Sequence, residues 1–371
     1  SGLLITTQGY AADQVRAVYD RALVLARGLG DEAALHKLRL GLEGYHFMRG
    51  DFVRAQAMAD EVTASLGSHP EPQARLQATM AHANILFHQG RLPEAVALTD
   101  RCLADYRQGG HRATTVQDAG VMCLCYSSWA LWEMGRADEA LARARQGVAL
   151  AEQLKHPFSL GQALGFLAVA HHFRGEPAPG LLAAGRAIAV CEAGGFVQWL
   201  AHARVLHGRL RAALGEVDAG LAEMAQGHAQ WAATGAVVTR PFYAVLQAEG
   251  LALAGRPDEA LPLVAEAHAL IGRHGERYFE PEVQRLMGTL LRATGRSDAD
   301  ALPWLQDALA TARALALPGL VLRAAVSLAP AWAGQGRQAE ALVLLDEALA
   351  AMPESAPTAD LQQARLLRLA L

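Results

Sequence analysis

Lysine is almost absent. Lys37 and Lys155 are the only two in 371 residues, although lysine and arginine together number 33. Aspartate and glutamate number 37, which leaves a formal net charge of −4 with histidine neutral. A chain without a basic excess lacks the electrostatic footprint of a general nucleic-acid binder. Neither lysine follows a glycine, and no G-x-x-x-x-G-K-[ST] occurs. The phosphate cradle of a P-loop is therefore missing from this stretch of chain.

Cysteine is also scarce: Cys102, Cys123, Cys125 and Cys191. Their spacing fits no zinc pattern, and Cys123 and Cys125 point two ways from one helix. They read as reduced core residues of a cytoplasmic protein. No apolar run reaches about 18 residues without a charge, so no membrane span is expected, and no signal peptide is visible. The chain opens on Ser1-Gly2 with no Met, and a segment of a longer protein is expected. Histidine pairs such as His82/His88, His202/His207 and His268/His274 lack the four-residue step of H-E-x-x-H, and adjacent His171 and His172 diverge by about 100° on a helix. No G-x-S-x-G is present. No metal, no cofactor and no catalysis are expected.

Aromatic residues make up only 6% of a chain that is 52% hydrophobic; alanine and leucine supply most of the apolar mass, which favours close helix packing. A short motif recurs through it, as in "HQGRLPEA", "EMGRADEA", "LAGRPDEA" and "GQGRQAEA". Its glycines are Gly50, Gly90, Gly135, Gly175, Gly215, Gly255, Gly295 and Gly336, spaced by 40 residues except for 45 before Gly135 and 41 before Gly336. A fixed period of this size signals a solenoid of helix–turn–helix units. The glycine closes the first helix in a left-handed turn. The Pro or acidic residues after it suit the first turn of the second helix. The alanine or glycine that ends each motif lets the two helices approach. Seven residues before the glycine stand Glu43, Ala83, Ser128, Ala168, Gly208, Ala248, Gly288 and Ala329. That column is small in every unit but the first. The extra residues before Gly135 are placed in an inter-repeat loop at 108–117.

These small columns and the turn glycine match part of the tetratricopeptide (TPR) pattern, although the units are longer than the usual 34 residues and lack its Trp and closing Pro. Three stretches, "TQGYAADQVRAVYDRALVLARGLGD" (7–31), "GERYFEPEVQRLMGTLL" (275–291) and "PTADLQQARLLRL" (357–369), resemble the C-terminal, maltose-activator-like TPR region of bacterial STAND-type signalling ATPases. The resemblance implies an all-α, right-handed α–α superhelix serving as a sensor. It further implies an NTPase, and an output domain such as a nucleotide cyclase, in the rest of the protein. The expected organisation is one solenoid over 1–371: a leading helix in 1–31, eight repeats in 32–352 and a C-terminal capping helix in 353–371.

Projected at 100° per residue, positions 13, 10, 6, 3 and 2 before each glycine share an inward sector. They are chemically variable, unlike the framework columns. The middle units are richest, and the candidate partner-binding residues are Trp129, Trp132, His172, Phe173, His202, Arg209, Phe242, Glu249, Glu282 and Arg285, since aromatics and arginine anchor interfaces. The plain alternative is inter-repeat packing by the aromatics and solvation of the charges. The stretch "HARVLHGRLR" (202–211) breaks the apolar pattern with Arg204, His207 and Arg211, which marks an anion contact, a solvated face, a rotated fifth repeat or a buried polar network. Three readings stay open. The first is a sensor domain whose partner is a protein or peptide in the concave groove, or the protein's own NTPase domain. The second is a free-standing TPR scaffold or peptide receptor. The third is a nucleic-acid-binding solenoid.

Overall fold

The computed structural model describes residues 2–67, 71–109, 116–353 and 358–371. They form nineteen α-helices, with no strand among the described residues. α1 (Gly2–Gln8) and α2 (Asp13–Leu29) lead. Four helix–turn–helix units follow: α3 (Glu32–Met48) with α4 (Phe52–Ala64), α5 (Pro72–His88) with α6 (Leu92–Arg107), α7 (Ala119–Glu133) with α8 (Ala137–Gln153), and α9 (Pro157–Arg174) with α10 (Pro177–Gly194). Four more complete the array: α11 (Val197–Ala213) with α12 (Val217–Ala233), α13 (Arg240–Leu253) with α14 (Pro257–His274), α15 (Glu280–Ala293) with α16 (Asp298–Ala314), and α17 (Pro318–Gly334) with α18 (Gln338–Ala350). α19 (Ala359–Ala370) ends the chain. The architecture is a right-handed TPR-like superhelix. No helix among the described residues is long and apolar enough to cross a membrane.

The turn chemistry follows from the repeated motif. All eight turn glycines are left-handed, with φ between 70° at Gly255 and 100° at Gly215. In four units the arginine after the glycine grips a glutamate three residues on: Arg91–Glu94, Arg136–Glu139, Arg256–Glu259 and Arg337–Glu340. These exposed pairs tie the turn to the next helix and contribute little stability. The small columns meet each other. A Cβ on Gly208 would lie 2.5 Å from Gly220 O, and Ser128 Oγ donates to Ala140 O at 2.7 Å.

The leading segment is two helices rather than the expected one over 1–31. Gly9 breaks it with φ 92°, and a Cβ there would fall 2.8 Å from Thr234 Cβ. The link therefore turns inward and carries Tyr10 into the lumen, where its backbone N–H donates to Gln198 Oε1 at 3.3 Å. Of the loop expected at 108–117, residues 110–115 lie outside the described residues.

The superhelix coils back onto itself. The N–H groups of Val237 and Val238 donate to Met48 O at 2.8 and 3.3 Å, and Arg277 N–H donates to His88 O at 2.7 Å. Gly319, in the first turn of α17, packs backbone to backbone on the end of α7: a Cβ there would lie 2.8 Å from both Trp132 O and Glu133 O. The seam between successive turns converts much of the expected open groove into core. Buried rings fill the lumen: Trp132 stacks on Phe173 at 3.8 Å and 12°, and Trp129 meets Phe242 at 4.6 Å and Tyr278 at 5.3 Å.

Candidate ligand site

The structure divides the expected partner-binding residues among three places. Trp132, Phe173 and Phe242 are packed in the sealed middle of the lumen. They face one another instead of an open groove, because the returning turn covers them.

His172, Arg209, Glu249, Glu282 and Arg285 form a charged cluster at the C-terminal side of those rings. Arg209 bonds Glu249 at 3.2 Å and Arg285 bonds Glu282 at 2.9 Å. Arg323, which the sequence placed on the inward face without marking it, joins them: its guanidinium contacts Glu282 at 2.9 Å and Asp360 of α19 at 3.3 Å. It also lies 5.5 Å from the centre of the Trp132 ring. Burial alone would raise the Glu282 carboxyl, but Arg285 and Arg323 outweigh it and hold it down at about 2. Burial, with Arg209 nearby, pushes the His172 imidazole down to about 3. Arg209, Arg285 and Arg323 against Glu249, Glu282 and Asp360 leave the cluster balanced, and α19 is held by it.

The 202–211 stretch is paired as well. Arg204 bonds Gln230 and Glu192, both at 2.9 Å, His207 bonds Glu223 at 2.9 Å, and Arg211 bonds Glu216 and Glu223. Its arginines are engaged by neighbouring acids, so the pattern break marks helix-to-helix pairing. Among the described residues no group of three or more His, Cys, Asp or Glu is placed to hold a metal ion.

Trp129 and His202 belong to the third place, at the N-terminal mouth of the superhelix. A recess of about 1200 Å³ opens there between α1, α2, α3, α5 and the 156–158 segment. Its inner end continues into a space of about 60 Å³ floored by Phe47, Tyr126, Trp129, Phe166, Trp199 and Tyr278. Tyr10, Glu43, Gly44, Met80 and Gln117 line both spaces and form the neck between them. Glu43 is only 8% exposed, and no hydrogen bond or ion pair engages it among the described residues. Burial pushes its carboxyl up to about 8. The His202 imidazole, pushed down to about 3 by burial, pairs its Nδ1 with the Tyr243 hydroxyl at 2.7 Å. Among the described residues its Nε2 and the Trp199 indole Nε1 have no hydrogen-bond partner.

Sequence reasoning missed the neck and the floor below it. Glu43 did stand out as the large exception in a small column, but Tyr126 sits in a framework column and Trp199 lies outside the columns projected inward. Tyr10 precedes the repeats altogether.

No family model matches the chain. An uncharacterised protein of Rhizobium meliloti is 26% identical over 317 residues; the match covers 80% of this chain but 29% of that protein's length. The chain thus spans under a third of the relative. Among solved structures, a Rap protein complexed with competence and sporulation factor superposes with a TM-score of 0.60 at 13% identity, over 77% of this chain and 76% of that one. The Rap conjugation gene regulator of plasmid pLS20, in complex with the Phr* peptide, gives 0.59 at 9% identity over 100% and 97%. At these identities the likeness is one of fold, and it places the chain among TPR-like α-solenoids.

Proposed function

We propose that this chain is the non-catalytic, ligand-sensing part of a signalling protein, and that its ligand enters the N-terminal recess. The observation that carries the reading is the recess itself: a concave, aromatic-floored space with convergent polar groups, in a lumen whose middle is packed shut. Such a space is the default binding site of a helical protein. The Rap regulator solved with the Phr* peptide supports a peptide as the ligand. The walls come from both superhelical turns, with Phe47 and Met48 from the first and Trp199, Thr239 and Tyr278 from the next. A ligand touching both favours the closed superhelix, and that differential affinity is what a sensor requires.

The much greater length of the Rhizobium relative supports a place within a longer polypeptide. The resemblance to STAND-type ATPases makes an NTPase the expected neighbour, with the closed superhelix biasing its on and off states. A free-standing peptide receptor is the second reading, favoured by the end-to-end match with the pLS20 regulator. Nucleotide hydrolysis by the product of the whole gene, changing on ligand addition, supports the first reading; a gene ending at this solenoid supports the second.

Titration with peptide pools, read by tryptophan emission, tests the recess. Gly44 lines the neck, and a Cβ there meets Tyr10 Cδ1 at an ordinary 3.6 Å. Gly44→Leu is expected to fill the neck and abolish a saturable signal without unfolding the chain. Undiminished binding by that variant places the ligand elsewhere.

A further inference from the structure

Seven of the eight repeats keep a small residue seven positions before the turn glycine, where the paired helices touch. The first repeat has Glu43 there. A carboxyl this buried is costly unless something pairs with it, and none of the described residues does. Its remaining exposure is to the neck that joins the wide recess to the aromatic inner end.

We propose that the recess is a receptor site for an organic ammonium group, seated at Glu43 among the rings of Tyr10, Phe47, Tyr126 and Trp199. The inference rests on the recess being the ligand site and names what it recognises. A carboxylate inside a box of π faces is complementary to a cation on both counts, since the ring faces attract positive charge. Among the described residues a metal ion would find one carboxylate and no cluster of further ligands. An anion would meet an acidic wall, because among the described residues Glu32 and Glu71 line the outer recess against Lys37. A purely apolar ligand would leave Glu43 as unpaired as before. The ammonium is the α-amino terminus of a short peptide or the head of a small amine; both present the same chemistry to Glu43.

Among the described residues, the titratable groups around Glu43 leave it as the responsive one. Tyr10 and Tyr126 are pushed up by burial and stay neutral. His202 and His88 are pushed down by burial to about 3 and about 4, and the Glu276 carboxyl beside His88 is pushed up to about 8. Tyr19 lines the wide space, and His36, Lys37, His156, Glu32 and Glu71 stand farther out along it. In the empty site Glu43 is mostly protonated at neutral pH. An arriving ammonium keeps its own protons and stabilises the carboxylate, so the Glu43 proton leaves to the buffer.

Calorimetry on the whole chain at pH 7, in buffers of different ionisation heat, tests this with four probes: a phenylalanine tripeptide amide with a free amino terminus, its N-acetylated form, benzyltrimethylammonium and N-acetylarginine amide. The free-amine peptide or benzyltrimethylammonium is expected to bind at least tenfold more tightly than the acetylated peptide, releasing up to one proton at pH 7 and almost none at pH 9.5. Glu43→Gln is expected to erase that preference and the proton release while melting normally. Glu43→Ala, which restores the small residue of the other repeats, gives a second well-folded control. A tighter peptide identifies a peptide terminus, and a tighter benzyltrimethylammonium identifies a small amine. Equal binding of the acetylated peptide, unchanged binding by Glu43→Gln, or preference for the guanidinium probe overturns the ammonium assignment alone. Failure of every probe, neutral and cationic, overturns that assignment together with the recess as the ligand site.

Discussion

His88 Nε2 and Glu276 Oε1 face each other at 3.7 Å across the seam, one on the first superhelical turn and one on the next, and both are buried. His88 Nδ1 bonds Asn84 O at 3.0 Å, and the Thr239 N–H donates to Glu276 Oε1 at 2.7 Å. Burial dominates both groups. It lowers the imidazole to about 4 and raises the carboxyl to about 8. Both shifts favour the uncharged forms of this pair at neutral pH.

Stability should fall as pH rises from about 6.5 to about 8. Glu276 and Glu43 are raised to about 8 from an ordinary 4.5, and burial raises Glu133 well above it too. Between those values the unfolded chain has released protons that the folded chain retains, so increasing pH favours unfolding. The slope approaches about 1.4 kcal/mol per pH unit for each such group. Below 6.5 the lowered imidazoles of His88, His172 and His202 work in the opposite direction, because the unfolded chain then binds more protons. Urea midpoints across pH 6 to 9 check this, and Glu43→Ala should remove one group's share of the slope. A flat profile above 6.5 would refute the assignment of neutral buried carboxyls.

Removing Arg323 should cost about 3 kcal/mol or more, because it leaves the nearly inaccessible Glu282 without one of its two arginines. In a double-mutant cycle, Arg323→Ala with Glu282→Ala should cost less than the sum of the single changes. Glu282 is held at about 2, so its pairing stabilises fully above about 4.5 and is lost as pH falls through about 2. Strict additivity would mean that the cluster is not a coupled unit.

Gly319→Ala should pry the seam apart. The new Cβ meets two backbone carbonyls at 2.8 Å, and overpacking of this kind costs about 1–3 kcal/mol. Small-angle scattering should show a larger radius of gyration. Gly255→Ala is the control: it strains a φ of 70° but meets no neighbour, so it should lower stability without changing size. Equal dimensions for both variants would show that the seam tolerates the methyl group.

All four thiols should resist labelling in the native state. Cys102, Cys123, Cys125 and Cys191 are buried. Burial pushes Cys191 up to about 12 and raises Cys125 further, while Cys123 is raised first by its contact with Cys102 and then by burial. A chromogenic disulfide reagent should react with all four in denaturant and only at the opening rate without it. Rapid native labelling of any one would contradict its enclosure.

The repeat was fully legible because its signals are local. A left-handed glycine, the acidic or proline start after it and two small columns act within one helix pair, as Gly208 against Gly220 shows. The site was less legible. Variable chemistry on the inward columns pointed to the middle units, whose rings pack against one another, as Trp129 on Phe242 and Trp132 on Phe173. Whether the lumen is open depends on how the units accumulate into a superhelix, and no single repeat encodes that. The return of 237–238 to Met48, and of Arg277 to His88, filled the middle, and the recess lies at the N-terminal mouth. Glu43 broke a framework column in plain view, but its meaning depended on Tyr10 and Trp199 arriving from elsewhere.

The seam also sets an order in time. In an ordinary solenoid each unit rests on its predecessor, so a growing chain can fold as it is made. Here the ends of α3 and α5 expose Met48 O and His88 O early in synthesis, and their backbone donors belong to Val237 and Arg277. The first-made repeats must wait, unfinished, for partners translated much later. Pairings of such long sequence separation slow folding, so this chain should assemble more like a β-barrel, by late closure, than like a stack completed from one end.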